Sequence, residues 1–374
     1  MWTIAIKTLL ADRGKLITAL VGVVFSIVLV NVQGGLFIGL IRKASLLVDQ
    51  GDTDVWVGHK KMTNVDFPHS IPRRWGQRIR AIEGVRQAEP YLIGHSVMTL
   101  PDGGFEPVLV VGCDPSTLMG SASQAFGSNP AAIRQADGII IDECDAHKIG
   151  DPKLGDLREI GRRRAKIAGF SHGILGFLVT PYVFTTFDRA ASYLNRPTDE
   201  VSYFLVQTDE NVDPQKLCNR IKQRLPDAEA YTRGQYASIS ISYWLQRTGI
   251  GISFGAATVL GLIVGLVIVA QTLYASVLDR INEFGTLKAI GATEHQIYSI
   301  ILSQALLLAA LGSTAGLICV AAVQSLCSSP RAPISIPWYM AAGSCVLVTV
   351  ICLVSSLLPY LRVRKIDAAM VLQG

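Results

Sequence analysis

The sequence predicts a membrane α-helical protein with four transmembrane helices and an α+β extracytoplasmic domain, which combines a ferredoxin-like lobe with an inserted, mainly β lobe. The first observation is that four long windows contain no Asp, Glu, Lys or Arg. A helix needs about 20 apolar residues to cross the hydrocarbon core, and every window exceeds that length. The second observation is a strand–helix–strand pattern that occurs twice between the first two windows. The windows are residues 16–41, 248–278, 296–330 and 332–361.

The order of the elements follows from these windows. The second window is longer than a core of about 30 Å requires, so its outer part is expected to project from the membrane as a stalk. The predicted layout is 1–15 cytoplasmic N-terminus, 16–41 first span, 42–247 extracytoplasmic domain, 248–278 stalk and second span, 279–295 cytoplasmic helix, 296–326 third span, 327–337 short external loop, 338–361 fourth span and 362–374 cytoplasmic C-terminus.

Basic residues next to the spans set the orientation. Short loops rich in Lys and Arg stay on the cytoplasmic side, whereas long domains cross largely regardless of charge. With four spans, all three basic groups fall on one side, so both termini are predicted to be cytoplasmic. The first window is too long for the apolar core of a signal peptide and reads as an uncleaved span. The basic groups are Lys7, Arg13 and Lys15; Arg280 and Lys288; and Arg362, Arg364 and Lys365.

The two ends of the external segment resemble each other. Each contains a proline followed by an amphipathic helix, and short strand candidates precede and follow each helix. Two strand–helix–strand units build a ferredoxin-like sheet. Residues 52–100 and 201–235 are therefore predicted to form one membrane-proximal lobe, with the helices starting at Pro72 and Pro214. Residues 101–200, which contain short strands and turns, are predicted to form the inserted β lobe.

Signatures of catalysis are largely missing from the sequence. It contains no G-x-x-x-x-G-K-S/T, H-E-x-x-H or C-x-x-C motif, so we expect no catalytic residues, no cofactor and no metal site in this chain. Residues 251–255 match G-x-S-x-G, but a nucleophile elbow requires a strand before the serine, and Ser253 lies in an apolar helical run. A membrane hydrolase using Ser253 is the weakest of three functional hypotheses.

Glycine pairs at G-x-x-x-G spacing occur in the apolar windows. Such steps allow close approach of helices in lipid, although the spacing does not say which helices meet. The pairs are Gly35/Gly39, Gly251/Gly255, Gly261/Gly265 and Gly312/Gly316.

The segment between the second and third windows has helical periodicity. Its apolar residues Ile281, Phe284, Leu287 and Ile290 lie near one face. Gly291 is expected to end this helix, and Thr293 is expected to cap the next one. The simplest role for such a helix is an interfacial linker, and the more specific one is a lever moved by a cytoplasmic partner.

Residues 280–292, R-x-x-E-F-G-T-L-K-A-I-G-A, resemble the cytoplasmic coupling-helix signature of the MacB/LolC/FtsX-type ABC transporter permeases. Residues 5–30 resemble the amphipathic entry into the first span of these permeases. Residues 360–372 resemble their basic C-terminal tail, with Asp367-Ala368 where Asp-Pro is usual. The stretch E-F-G-T-L-K-A-I-G-A is similar to the DevC-type exporter permeases, which work with a separate ATPase.

The resemblance implies a multi-pass permease of the bacterial inner membrane that binds a cytoplasmic ABC ATPase and pairs with a second permease chain as a homodimer. ATP and Mg would be bound by the ATPase. The implied function is export of a lipidic or lipid-linked cargo, with a periplasmic membrane-fusion protein and an outer-membrane channel; membrane lipid is a further partner and nucleic acid is not. The alternative is an FtsX-like signal transducer that controls an extracytoplasmic cell-wall hydrolase. The implied ATPase-coupling residues are Arg280, Glu283, Phe284, Gly285, Lys288, Gly291 and Ala292.

Overall fold

The computed structural model describes residues 13–279, 283, 286, 288 and 290–364. The described residues fall into a helical unit, which comprises those up to residue 39 and from residue 250 onwards, and an α/β unit, Leu40–Gly249. The helices are α1 Arg13–Lys43, α2 Leu46–Asp49, α3 Trp75–Arg80, α4 Phe187–Tyr193, α5 Pro214–Arg224, α6 Arg233–Thr248, α7 Ile250–Asp279, α8 Glu294–Cys327, α9 Trp338–Ser355 and α10 Leu357–Arg364. The strands are β1 Val55–His59, β2 Ile71–Pro72, β3 Val85–Thr99, β4 Phe105–Cys113, β5 Gly138–Asp142, β6 Leu157–Ile160, β7 Arg163–Ser171, β8 Tyr182–Thr186, β9 Glu200–Val201, β10 Tyr203–Thr208 and β11 Ala228–Thr232.

Four helices of the helical unit are long and apolar enough to cross a membrane, which confirms the predicted fold class. They are Arg13–Lys43, Ile250–Asp279, Glu294–Cys327 and Trp338–Leu361. The last is broken at Ser356, between α9 and α10. Pro359 accounts for the break, because it cannot donate a hydrogen bond to the carbonyl of Ser355 one turn earlier.

One face of the first span is buried within the helical unit. Val23 and Ile27 of α1 are almost fully buried. A Cβ built on Gly316 of α8 would lie 2.7 Å from Ile27 Cβ, and one on Gly312 would lie 2.6 Å from Val23 Cβ. The predicted glycine step of the third span is therefore the surface on which α1 packs. A Cβ built on Gly255, in contrast, would have no other part of the described chain within 4 Å.

The predicted stalk-and-span helix 248–278 starts later than expected. Helix α6 ends at Thr248, and Gly249 has a left-handed φ of 63° before α7 begins at Ile250. A glycine in this conformation is a common helix terminator, because it carries no Cβ that would clash there. The charge-free window therefore crosses a helix boundary, which its composition did not reveal.

The two ends of the α/β unit form one antiparallel sheet in the order β11-β1-β10-β3. The connections β1–α3–β3 and β10–α5–β11 give the strand order of the ferredoxin-like motif, so the predicted ferredoxin-like lobe is confirmed. Ile79 of α3 and Ile221 of α5 are fully buried in one core. Helix α5 begins at Pro214 as predicted, but α3 begins only at Trp75, because Pro72 belongs to β2 and pairs with β9.

The predicted lobe boundary at residue 100 lies just after the end of β3, but β3 changes its partner strand earlier, within its own length. The first half of β3 pairs with β10 up to Tyr91, and the second half pairs with β4 from Leu92 onwards. The inserted lobe thus extends the same sheet, which has nine strands in the order β11-β1-β10-β3-β4-β8-β5-β7-β6.

The other face of the ferredoxin-like sheet holds a buried aromatic cluster and a buried carboxyl group. Trp56 lies with its ring centroid 5.5 Å from Tyr203 and 5.5 Å from Tyr236. In the loop 60–70, Asp66 is only 3% exposed and accepts a 2.8 Å hydrogen bond from the Tyr182 hydroxyl. Burial raises the pKa of Asp66 to about 6, although the hydrogen bond from Tyr182 opposes that rise.

We expect Asp66→Asn to stabilise the protein at pH 8 and to leave its stability nearly unchanged at pH 4. The raised pKa means that the folded state binds a proton more tightly than the unfolded state, so Asp66 costs stability as pH rises from about 4 to 6. The expected gain at pH 8 is on the order of 2–3 kcal/mol, since one pKa unit corresponds to about 1.4 kcal/mol. Thermal unfolding of the full chain in detergent at both pH values measures it. Asp209→Asn, at an exposed position, is the control, and an equal response of both variants would contradict the prediction.

Candidate functional site

The candidate site is the segment between α7 and α8 that the sequence predicts to be a cytoplasmic coupling helix. Glu283, Thr286 and Lys288 have helical backbone conformation. The predicted site residues Arg280, Phe284 and Gly285 lie outside the described residues, as do Ile281 and Leu287.

The helix of this segment ends where the sequence predicts. The Ile290 N–H donates to the Thr286 carbonyl oxygen at 3.0 Å, which is the bond of a last helical turn. The Gly291 N–H donates to the Lys288 carbonyl oxygen at 3.1 Å, and Gly291 has a φ of +102°. A side chain at position 291 would strain the backbone, because L-residues rarely adopt this conformation. Glycine at 291 therefore lets the chain reverse direction at once.

The next helix starts two residues later with a capping box. The Thr293 hydroxyl accepts from the Gln296 N–H at 3.4 Å, and the Gln296 side-chain oxygen accepts from the Thr293 N–H at 3.0 Å. This reciprocal pair satisfies two of the free N–H groups at the start of α8. The predicted cap at Thr293 is confirmed, and it fixes the direction in which α8 leaves the segment.

One side of the segment is open to its surroundings. Glu283, Thr286 and Ile290 are exposed, and their spacing of three and four residues places them on one helix face. We call these three residues the outward face. Ile290 is 80% exposed. Lys288 is half-buried on another side of the helix.

The chain that follows the segment and the ends of the spanning helices are in contact with one another. Ala292 packs on a cluster formed by Val277, Ile297, Ile300 and Ile301. Tyr298 of α8 and Tyr360 of α10 meet edge to face, with ring centroids 4.8 Å apart. The start of α1 joins the end of α7 through an ion pair between Lys15 and Asp279.

These contacts bring the start of α1, the end of α7, the start of α8 and α10 to one end of the helical unit. The other ends of the helices meet elsewhere, since the Ser335 N–H donates to the Gly35 carbonyl oxygen at 3.1 Å and Phe37 lies 5.7 Å from Phe254. Four helices that alternate in direction produce this arrangement. Sequence reasoning missed the Lys15–Asp279 pair, although opposite charges at two span ends on the same predicted side were a signal for it.

The G-x-S-x-G match does not form a nucleophile elbow. Residues 251–255 lie within α7, so Ser253 has neither the preceding strand nor the sharp turn that such a site needs. Within the part of the chain that the structure describes, no group of three or more His, Cys, Asp or Glu residues is placed to hold a metal ion.

Two protein families match this chain. Residues 16–224 match the MacB-like periplasmic core domain, and residues 255–368 match the FtsX-like permease C-terminal region. No curated protein matches the chain.

Solved structures of a periplasmic region and of an extracellular domain are similar to about half of this chain. The crystal structure of the periplasmic region of MacB from Actinobacillus actinomycetemcomitans is 9% identical, with a TM-score of 0.37, over 50% of this chain and 91% of that chain. The extracellular domain of the noncanonic ABC-type transporter YknZ from Gram-positive bacteria is 11% identical, with a TM-score of 0.34, over 48% of this chain and 98% of that chain.

Proposed function

The chain belongs to the MacB/FtsX-type family of ABC transporter permeases, and on this premise we propose that it is the non-catalytic transmembrane subunit of an exporter. A separate ATPase hydrolyses ATP, and this chain, paired with a second copy, converts the hydrolysis into motion of its extracytoplasmic domain. The cargo is lipidic or lipid-linked, and a periplasmic membrane-fusion protein and an outer-membrane channel receive it, as in DevC-type systems. Both termini and the segment 280–292 face the cytoplasm.

The outward face is the observation that carries this proposal. A helix that exposes Glu283 and Ile290 on one face, two turns apart, has the composition of a docking element. A groove in the ATPase would take the apolar side chain, and a basic residue at its edge would pair with the carboxylate. Buried apolar anchors of this kind dominate many interfaces.

The anchoring contacts supply a route for force. A push on the segment acts on α8 through Ala292 and the capped start at Thr293. It acts on α1 and α7 together, because the Lys15–Asp279 pair joins them. Helices α1 and α7 are the two spans that lead in sequence to the α/β unit, so motion at the segment is passed to both connections of that unit.

The packing of the spans favours a transmitter over a channel. The glycine step of α8 brings the third span into direct contact with α1. The buried polar side chain Asn31 is engaged inside the bundle, since its Nδ2 donates to the Ile27 carbonyl oxygen at 2.8 Å and to Ser344 Oγ at 2.7 Å. Cargo therefore moves outside the four helices of one chain, driven by the extracytoplasmic domain.

Co-purification from native membranes tests the proposal. We expect the tagged chain to retain an ABC ATPase and a membrane-fusion protein, identified by mass spectrometry, and Ile290→Ser to lose most of the ATPase. The matched control is Leu326→Ser, because Leu326 lies in α8 and is similarly exposed at 84%. Recovery of a cell-wall hydrolase in place of the fusion protein would favour the signalling role. Recovery of no ATPase with the parent chain would refute the proposal.

A further inference from the structure

The two helices of the ferredoxin-like lobe carry charges of one sign only. Neither α3 nor α5 contains Asp or Glu. Ile79 of α3 and Ile221 of α5 are buried in the same core, so the opposite sides of the two helices form the outer layer of the lobe. Five basic side chains of this layer are exposed, and we call them the basic face. They are Arg74, which immediately precedes α3, and Arg78, Lys216, Arg220 and Arg224.

Arginine side chains join the two helices into one surface. Arg78 Nη2 donates to the carbonyl oxygen of Arg224 at 3.0 Å, and Arg220 Nη1 donates to the carbonyl oxygen of Glu83 at 2.8 Å. A guanidinium group has five N–H donors in a rigid plane. These two bonds therefore hold Arg78 and Arg220 in position and leave further N–H groups of both side chains available to a ligand.

The charges of the basic face are not balanced within the α/β unit. Two neighbouring basic residues do have acidic partners, since Arg80 pairs with Glu89 and Lys222 pairs with Glu229. None of the five residues of the basic face forms an ion pair with a residue that the structure describes. Like charges four residues apart on a helix repel each other. An acidic partner would remove this repulsion and be attracted to the surface.

The spacing of the charges indicates the shape of that partner. Lys216, Arg220 and Arg224 follow one another at intervals of four residues along α5. Arg74 and Arg78 have the same interval, and Arg74 has helical backbone angles. Residues four apart on a helix lie about 6 Å apart along its axis. A partner helix with carboxylates four residues apart has the same repeat, and each arginine fork can bind one carboxylate with two hydrogen bonds.

Two other occupants fit the surface less well. The segments 73–86 and 209–227 expose no large apolar side chain, whereas a helix layer that binds lipid inserts apolar side chains in addition to its charges. A second copy of the α/β unit does not offer the required helix either. None of the α-helices within Leu40–Gly249 contains two acidic residues.

We propose that the basic face is the docking surface for an acidic α-helix of a partner protein outside the cytoplasm. The contact is polar and depends on ionic strength, because the surface lacks an exposed apolar anchor. The inference concerns the α/β unit alone and holds for an exporter and for a signal transducer. Its failure would therefore leave the proposed function standing.

Binding of a model helix to the full-length protein in detergent is the first test. The probe is a fluorescent alanine-based peptide with glutamate at every fourth position. A peptide of the same composition, with alternating D- and L-residues that prevent a helix, is the comparison. Lys216→Gln, Arg224→Gln removes two charges of the basic face. Arg162→Gln, Arg163→Gln is the matched control, since both arginines are exposed in the turn region between β6 and β7.

Fluorescence anisotropy is expected to show tighter binding of the helical peptide than of the comparison peptide, with a loss of affinity as salt is raised. The basic-face variant should bind the helical peptide roughly fivefold more weakly, as expected for two exposed ion pairs, and the control variant should bind like the parent. Equal binding of both peptides, or equal affinities of the two variants, would overturn the inference.

Photo-crosslinking in intact cells tests the natural occupant and removes no charge from the surface. A benzophenone amino acid replaces Asn219, which is exposed beside Arg220, or Gln124 as the control at an exposed position elsewhere in the unit. We expect a protein adduct at 219 and not at 124, with a crosslinked peptide that carries Asp or Glu four residues apart. Adducts to lipid, to glycan or to a second copy of this chain would contradict the inference, as would a peptide without that acidic spacing or the absence of any adduct at 219.

Discussion

Replacing Gly316 with leucine is expected to prevent assembly of the helical unit, whereas the same replacement at Gly343 is expected to be tolerated. A Cβ at position 316 would lie 2.7 Å from both Cβ and Cγ2 of Ile27. Ile27 is fully buried and branched at Cβ, so it has no room to move away. Overpacking of this kind typically costs about 1–3 kcal/mol and occasionally more. A Cβ at position 343 of α9 would have no other part of the described chain within 4 Å.

Size-exclusion chromatography of fluorescently tagged variants in mild detergent measures this effect. The Gly316→Leu variant is expected to be recovered mostly as aggregate, with a lower melting temperature for the fraction that remains dispersed. The Gly343→Leu variant should elute and melt like the parent. Parent-like behaviour of Gly316→Leu would show that α1 and α8 do not pack as described.

The glycine steps show what sequence spacing can and cannot supply. All four glycine pairs have the same spacing. A Cβ at position 316 would contact Ile27, whereas one at position 255 would have no other part of the described chain within 4 Å. The spacing identifies a helix face that carries only small residues. Which neighbouring helix this face contacts depends on the rotation of the helix about its own axis. Rotation is a tertiary property, so the sequence located the spans and left their contacts open.

Prediction of the two lobes of the α/β unit likewise succeeded for local features and failed for a long-range one. The repeated strand–helix–strand pattern predicted the ferredoxin-like sheet, because helical periodicity and strand order are local signals. The continuation of β3 through both lobes was missed. Residues 88–94 are buried whichever face they point to, so this part of β3 has no apolar–polar alternation.

At the candidate site, the backbone features were predictable and the surface was not. Gly291 ends a helix and Thr293 caps the next one through their own local conformations. Residue type alone therefore predicts both features. The exposure of Ile290 and the contact between Tyr298 and Tyr360 depend on elements far apart in the chain. An isoleucine in an apolar pattern is expected to be buried, and here 80% of it is exposed.

The second large effect is expected at this site. The double variant Glu283→Ala, Phe284→Ala should insert and dimerise normally but bind the ATPase poorly and fail to stimulate it. Truncation of an apolar anchor at an interface costs about 2 kcal/mol or more, which corresponds to a roughly thirtyfold weaker interaction. Glu283 is exposed, so its loss should not disturb folding. The control is Glu159→Ala, Phe105→Ala, which removes the same two side-chain types from exposed positions of the α/β unit.

ATP turnover of the reconstituted complex of this chain and its ATPase tests the central claim most directly. The parent and the Glu159→Ala, Phe105→Ala control are expected to stimulate the ATPase equally in vesicles. The Glu283→Ala, Phe284→Ala variant is expected to leave turnover at the level of the ATPase alone, with the variant chain still folded and dimeric. If this variant binds and stimulates the ATPase like the parent, the segment 280–292 is an interfacial linker and does not transmit the force of ATP hydrolysis.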